Sequence, residues 1–130
     1  MLVPLAAAIA PFVVWPIEYF LPYPYLIEEL AKAILVYFIL ISDSRNPLKL
    51  GIIAGLLFGF SETVLYYLNI LPTGQISILL IRVFTTIPLH IATTLIILIP
   101  SRRKLKLMPW GVLLAIILHF LFNFLLTRIS

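Results

Sequence analysis

An all-α, polytopic membrane helix bundle of about five transmembrane helices is the fold class this sequence predicts, and three observations carry it. The 130 residues are 63% hydrophobic and only 11% charged, whereas soluble domains carry roughly 25% charged residues. The apolar runs are about as long as the ~20 residues a helix needs to cross a bilayer. No segment shows the period-two alternation that a membrane barrel requires.

Breaks at LPYPY (21–25), SDSRNPLK (42–49), NILPTGQ (69–75) and PSRRKLKLMP (100–109) divide the chain. They leave spans near 2–20, 26–41, 48–69, 76–99 and 108–127, all within one membrane domain over 1–130. The first span lacks a charged leading region and carries Pro4, Pro11 and Pro16. It is therefore expected to be a spanning segment rather than a cleaved signal peptide. The second is short and begins with charges, which suits a start inside a polar cavity rather than in lipid. In the third, Gly51, Gly55 and Gly59 form a small-residue face that lets another helix approach closely. In the fourth, Pro88 removes an N–H and frees the carbonyl of Phe84, loosening the helix just before His90. The fifth is apolar apart from His119 and Asn123 until Thr127.

Cysteine is absent, so disulfide and thiolate chemistry are unavailable. The net charge of +4 does not point to nucleic acid, because the basic residues sit at segment ends. With a cytoplasmic N-terminus, Arg45, Lys49, Arg102, Arg103, Lys104 and Lys106 all fall on the cytoplasmic side, and only Arg128 on the other. The tyrosines Tyr19, Tyr23, Tyr25, Tyr66 and Tyr67 then lie near the outer ends, as an interfacial belt would. The basic cluster at 102–106 reads first as a topology anchor, with a lipid-headgroup site as the alternative. An integral protein of a prokaryotic cell membrane is expected, with membrane lipids as its surroundings and no bar to homo-oligomers.

Glu28, Glu29, Glu62, His90 and His119 all lie within these spans. An ionised group at bilayer depth costs about 2.5–3.5 kcal/mol on insertion scales, so residues kept there face the bundle interior and mark function. In IEELAK, Glu28 and Lys32 share a helical face, and Glu29 points about a quarter-turn away. The bland reading is carboxylates complementing a helix N-terminus. Glu62 lies on the glycine face of its helix, so it points at a packed helix or a cavity, with Lys32, Arg82 or a protonated histidine as its counter-cation. Arg82, Thr86, His90 and Thr94 form one polar stripe at spacing four, which must face protein or water. His119 and Asn123 stand one turn apart. An imidazole there can hold or protonate a water, and an amide can donate to a developing oxyanion. Equally, the pair can hydrogen-bond between helices.

The ordered set EELAK (28–32), FGFSE (58–62), His90 within LHIATT and HFLFN (119–123) resembles the PrsW family of intramembrane proteases. That family carries EExxK, FxxxE and two later histidines on successive membrane helices, so Phe58 falls within its second motif. It is similar in turn to the CAAX prenyl endopeptidase and bacteriocin-processing (CPBP/Abi) superfamily, with its paired-Glu motif and final HxxxN. The resemblance covers about residues 26–125. It implies a membrane endopeptidase cutting a membrane-anchored protein or peptide near the extracytoplasmic face. Within it, Glu28 is the base that activates water and Glu29 orients it. Glu62, His90 and His119 position the water and relay protons, and Asn123 stabilises the oxyanion. Lys32, Arg82 and Phe58 support them. One departure is that motif two ends in Glu62 where the CAAX-type enzymes have histidine.

The paired-Glu families imply a glutamate-type, metal-independent reaction with no cofactor. The alternative is zinc held by Glu28, Glu62, His90 and His119, although the HExxH spacing is absent. A function of another class also fits the buried groups: a small proton-coupled transporter or ion-binding membrane protein. Asn123 separates the two, since an oxyanion donor has no obvious duty in a proton relay.

Overall fold

The computed structural model describes residues 2–42, 44–73 and 76–129. Among these, five α-helices follow one another with no strand: α1 (Leu2–Phe20), α2 (Pro24–Ile41), α3 (Pro47–Ile70), α4 (Ile76–Arg103) and α5 (Met108–Ile129). Single 3-10 turns at Leu71–Thr73 and Leu105–Leu107 lead out of α3 and into α5. The all-α membrane bundle is the architecture found.

The helix starts follow local chemistry. Pro24 and Pro47 open α2 and α3, where a missing N–H is harmless and a fixed φ is already helical. Asn46 caps α3, its side chain accepting from the Lys49 amide at 3.1 Å. α4 runs past the expected edge near 99 and keeps Pro100 within the helix, ending at Arg103. Pro100 provides no N–H for the carbonyl of Ile96. Gly111 of α5 packs at that carbonyl, and a β-carbon there would come within 2.9 Å of the Ile96 oxygen.

The surface is apolar, and the interior holds ionisable groups beside an apolar core. Phe84 is 76% exposed, while Glu29, Lys32 and His90 are wholly enclosed. That distribution suits lipid outside and protein inside. α1, α3, α4 and α5 each contain a stretch long and apolar enough to cross a membrane. α2 does not meet that test of composition, because its 18 residues include Glu28, Glu29 and Lys32. Its length, about 27 Å at 1.5 Å per residue, still approaches the bilayer core. Its three charged side chains turn inward, and lipid meets Leu30, Ile34, Phe38 and Ile41 instead.

α3 and α4 form the central pair, in contact along the expected glycine face. A β-carbon at Gly55 would lie 2.7 Å from the Ile91 Cα and 2.8 Å from the His90 carbonyl oxygen. Lipid tails are as apolar as leucine, so this close van der Waals packing replaces the hydrophobic drive of a soluble core. α1 covers α3 on its other side, where the Ser61 hydroxyl donates to the Ala8 carbonyl at 2.7 Å. α2 packs against α1 and reaches α3, α4 and α5 through its inner face. Gly55→Ala is expected to destabilise the bundle by about 1–3 kcal/mol through overpacking. It would be read as a lower SDS-unfolding midpoint. Leu56→Ala, on the neighbouring half-exposed position, should move the midpoint little.

Candidate active site

Two groups of polar side chains meet between α2, α3, α4 and α5. In the first, the Lys32 ammonium donates to Glu29 Oε1 at 2.6 Å and to the Thr93 hydroxyl at 2.9 Å. The same Glu29 oxygen lies 2.7 Å from His119 Nδ1. A carboxylate oxygen can only accept, so this contact calls for a hydrogen on His119 Nδ1 and turns the Nε2 edge toward Glu28. Lys32 also lies over the Phe58 ring, 5.1 Å from its centroid, and that ring packs 5.1 Å from the His90 ring. Phe58 thus props both the cation and the imidazole.

The second group surrounds Glu28. Its Oε2 has no hydrogen-bond partner among the described residues. It faces His119 Nε2 at 3.8 Å and His90 Nε2 at 3.9 Å. From α3, the Glu62 carboxylate lies against His90 Nε2. The two imidazoles stand edge to face, with centroids 5.4 Å apart. On α4, the Thr94 hydroxyl donates to the His90 carbonyl at 2.7 Å, fixing the turn that carries the ring.

One pairing departs from the helical spacing, and another selects among the partners the residues offered. Lys32 pairs with Glu29 rather than Glu28, which shared its face at spacing four. Residues three apart are equally near on a helix, and Thr93 holds the ammonium on Glu29's side. Glu62 finds its partner in His90, while Arg82 lies over the Tyr66 ring at 4.2 Å. Arg82 reaches the site only indirectly, because the Tyr66 phenol interacts with Glu62. Asn123 is half-buried one turn beyond His119. Among the described residues no hydrogen bond joins its side chain to the cluster.

A cleft of about 240 Å³ opens beside Glu28 and Glu62, between α1, the start of α2 and the last turns of α3. It lies at the tyrosine-bearing end, away from the basic residues at the end of α4. Glu18 on α1 also lines it. The sequence reading passed over both Glu18 and Thr93. Glu18 had a signal, a carboxylate within an apolar span. Thr93 had none, since a threonine in such a helix ordinarily bonds to its own backbone.

The donor set suits a divalent metal. Glu28, His90 and His119 each offer a ligand atom, and the three atoms lie within 4.8 Å of one another. The unpartnered Glu28 oxygen and the carboxylate-held His119 are what a zinc ligand and its supporting shell require. Glu62 stands beside this trio, against His90.

Carboxylates and imidazoles gathered inside a lipid-facing bundle define a membrane-embedded centre able to move protons and hold water. The chain belongs to the PrsW family of intramembrane proteases: the family described as PrsW family intramembrane metalloprotease matches residues 12–130. No curated protein and no solved structure matches it.

The Lys32–Glu29 pair predicts a non-additive stability cycle. Lys32→Met strands a buried carboxylate and should cost about 3–5 kcal/mol. Adding Glu29→Gln should recover part of that loss, as measured by SDS-unfolding midpoints. Strictly additive effects would show that the two side chains act independently.

Proposed function

We propose that this protein hydrolyses a peptide bond of a membrane-anchored protein with a water activated by Glu28. The observation that carries this reading is the difference between the two adjacent glutamates. Each leaves its Oε2 without a hydrogen bond, but Glu29 is committed through Oε1 to Lys32 and His119, whereas Glu28 turns its Oε2 to both imidazoles. A water lodged among Glu28, His90 and His119 can give a proton to Glu28 as its oxygen attacks the carbonyl carbon. The proton returns to the leaving nitrogen as the C–N bond breaks. Glu62 abuts the Nε2 edge of His90, and Glu29 holds His119 by its Nδ1, so both rings keep their orientation. Asn123, one turn outward from His119, is the donor proposed for the carbonyl oxygen as it becomes negative. The cleft beside Glu28 opens at the end opposite the basic residues, which supports cutting near the extracytoplasmic face.

A second reading of the same reaction is favoured by the convergence of Glu28, His90 and His119. These three residues would hold a zinc ion, with Glu62 adjacent as the base. When bound, zinc supplies Lewis acidity and makes its water a better nucleophile at neutral pH.

Purified protein in lipid nanodiscs should cleave some members of a panel of membrane-anchored peptides. Glu28→Gln should lower the rate on the order of 10²–10⁴-fold, the usual worth of a positioned proton-transfer group. Turnover that survives a chelator establishes the metal-free reaction. Turnover lost to the chelator and restored by added zinc establishes the metal-bound one. No cleavage across the panel, in protein that remains folded, would overturn the peptidase reading and direct the next assay to proton transport.

A further inference from the structure

Among the described residues, Glu18 is the carboxylate that the family motifs leave without a task. It sits near the end of α1 with Oε1 buried and without a hydrogen-bond partner among the described residues. It lines the cleft that also receives Glu28 and Glu62. Glu28 is only 5% exposed, and its Oε2 is likewise unpartnered. Trp15, Tyr19 and Tyr66 are aromatic residues along the same walls.

Among the described residues, no lysine or arginine forms an ion pair with Glu18 or Glu28. Lys32 is held by Glu29 and Thr93, and Arg82 by the ring of Tyr66. Unpaired carboxylates in a poorly solvated cleft are costly. A positive group arriving from outside relieves that cost, the more strongly where water is scarce. Aromatic walls add cation–π attraction. At about 240 Å³, the cleft is smaller than a pocket for a drug-sized molecule, which limits its occupant to about one side chain.

We propose that this cleft is a specificity subsite for one cationic side chain of the substrate, a lysine or arginine close to the scissile bond, with Glu18 as the residue that binds it. The inference rests on the peptidase reading above. Glu28 and Glu62 add negative potential from the inner wall, and Trp15 and Tyr19 border the aliphatic stem. The bound side chain would bring the adjacent peptide bond up to Glu28.

The test uses one labelled, membrane-anchored peptide in which a lysine is moved residue by residue along the sequence, each matched by norleucine at the same place. At one position, lysine should raise kcat/KM at least about tenfold over norleucine. Glu18→Gln should bring that ratio close to one, Glu18→Asp should retain part of it, and Glu18→Lys should turn the preference toward glutamate at that position. Size-exclusion profiles identify any variant that has misfolded, and the remaining two then decide. No lysine preference at any position, or an unchanged ratio in Glu18→Gln, would overturn the subsite. If no peptide is cut, anisotropy of the same uncut series on wild-type protein decides the matter separately. Tighter binding of one lysine peptide, lost in Glu18→Gln, would uphold the subsite while the peptidase reading fails. Equal binding of lysine and norleucine peptides would reject it.

Discussion

The ammonium of Lys32 is the constraint from which the centre is built. A charge held inside a membrane protein must be paired and hydrogen-bonded, and Lys32 has no exposed surface at all. It meets this demand by taking Glu29 from its own helix and Thr93 from α4. Those two contacts set both the rotation of α2 and its height against α4. Glu29, once committed, has the same oxygen available for His119 of α5. One buried cation therefore orders three helices and leaves Glu28, about 100° further round α2, facing the imidazoles alone.

The second determinant is the absence of side chains on one face of α3. Because Gly55 and Gly59 add no β-carbon, the backbone of α4 comes close enough for His90 to sit between Phe58 and Glu62. A β-carbon at Gly59 would lie 3.2 Å from the His90 ring and 2.9 Å from the Ile87 Cα. The packing that replaces the hydrophobic effect within lipid is thus also the packing that assembles the chemistry. Stability and site geometry here share the same residues.

Division of labour between neighbouring glutamates follows from their partners rather than from their chemistry. Glu29 commits its Oε1 to Lys32 and to an imidazole, while Glu28 turns an unpartnered Oε2 toward both imidazoles. The same open oxygen suits a water alone or a water on a metal, since either requires a negative oxygen facing two ring nitrogens. Family membership assigns the general reaction, proteolysis within the membrane. The cleft on the α1 side suggests how this chain selects its target.

Much of the architecture was legible in the residues themselves, because a bilayer imposes simple rules. Long apolar runs predict helices, charges within them predict an interior, and glycines at spacing four predict a close neighbour. The glycine face of α3 and the membrane bundle follow directly from those rules. So did the resemblance to the PrsW family, which rests on short motifs in a fixed order. The partners were not legible. Lys32 had two glutamates within helical reach, and only Thr93, sixty-one residues away, settles the choice. Arg82 shared a stripe with His90, yet Tyr66 on α3 holds it. Glu18 stood in plain view within the first span, but a lone carboxylate has no meaning until α1 is laid against α2 and α3. Sequence determined which groups must be buried, since desolvation depends on residue type. Tertiary structure alone decided which buried group meets which, since that depends on helix rotations that a spacing rule fixes only to within about a turn.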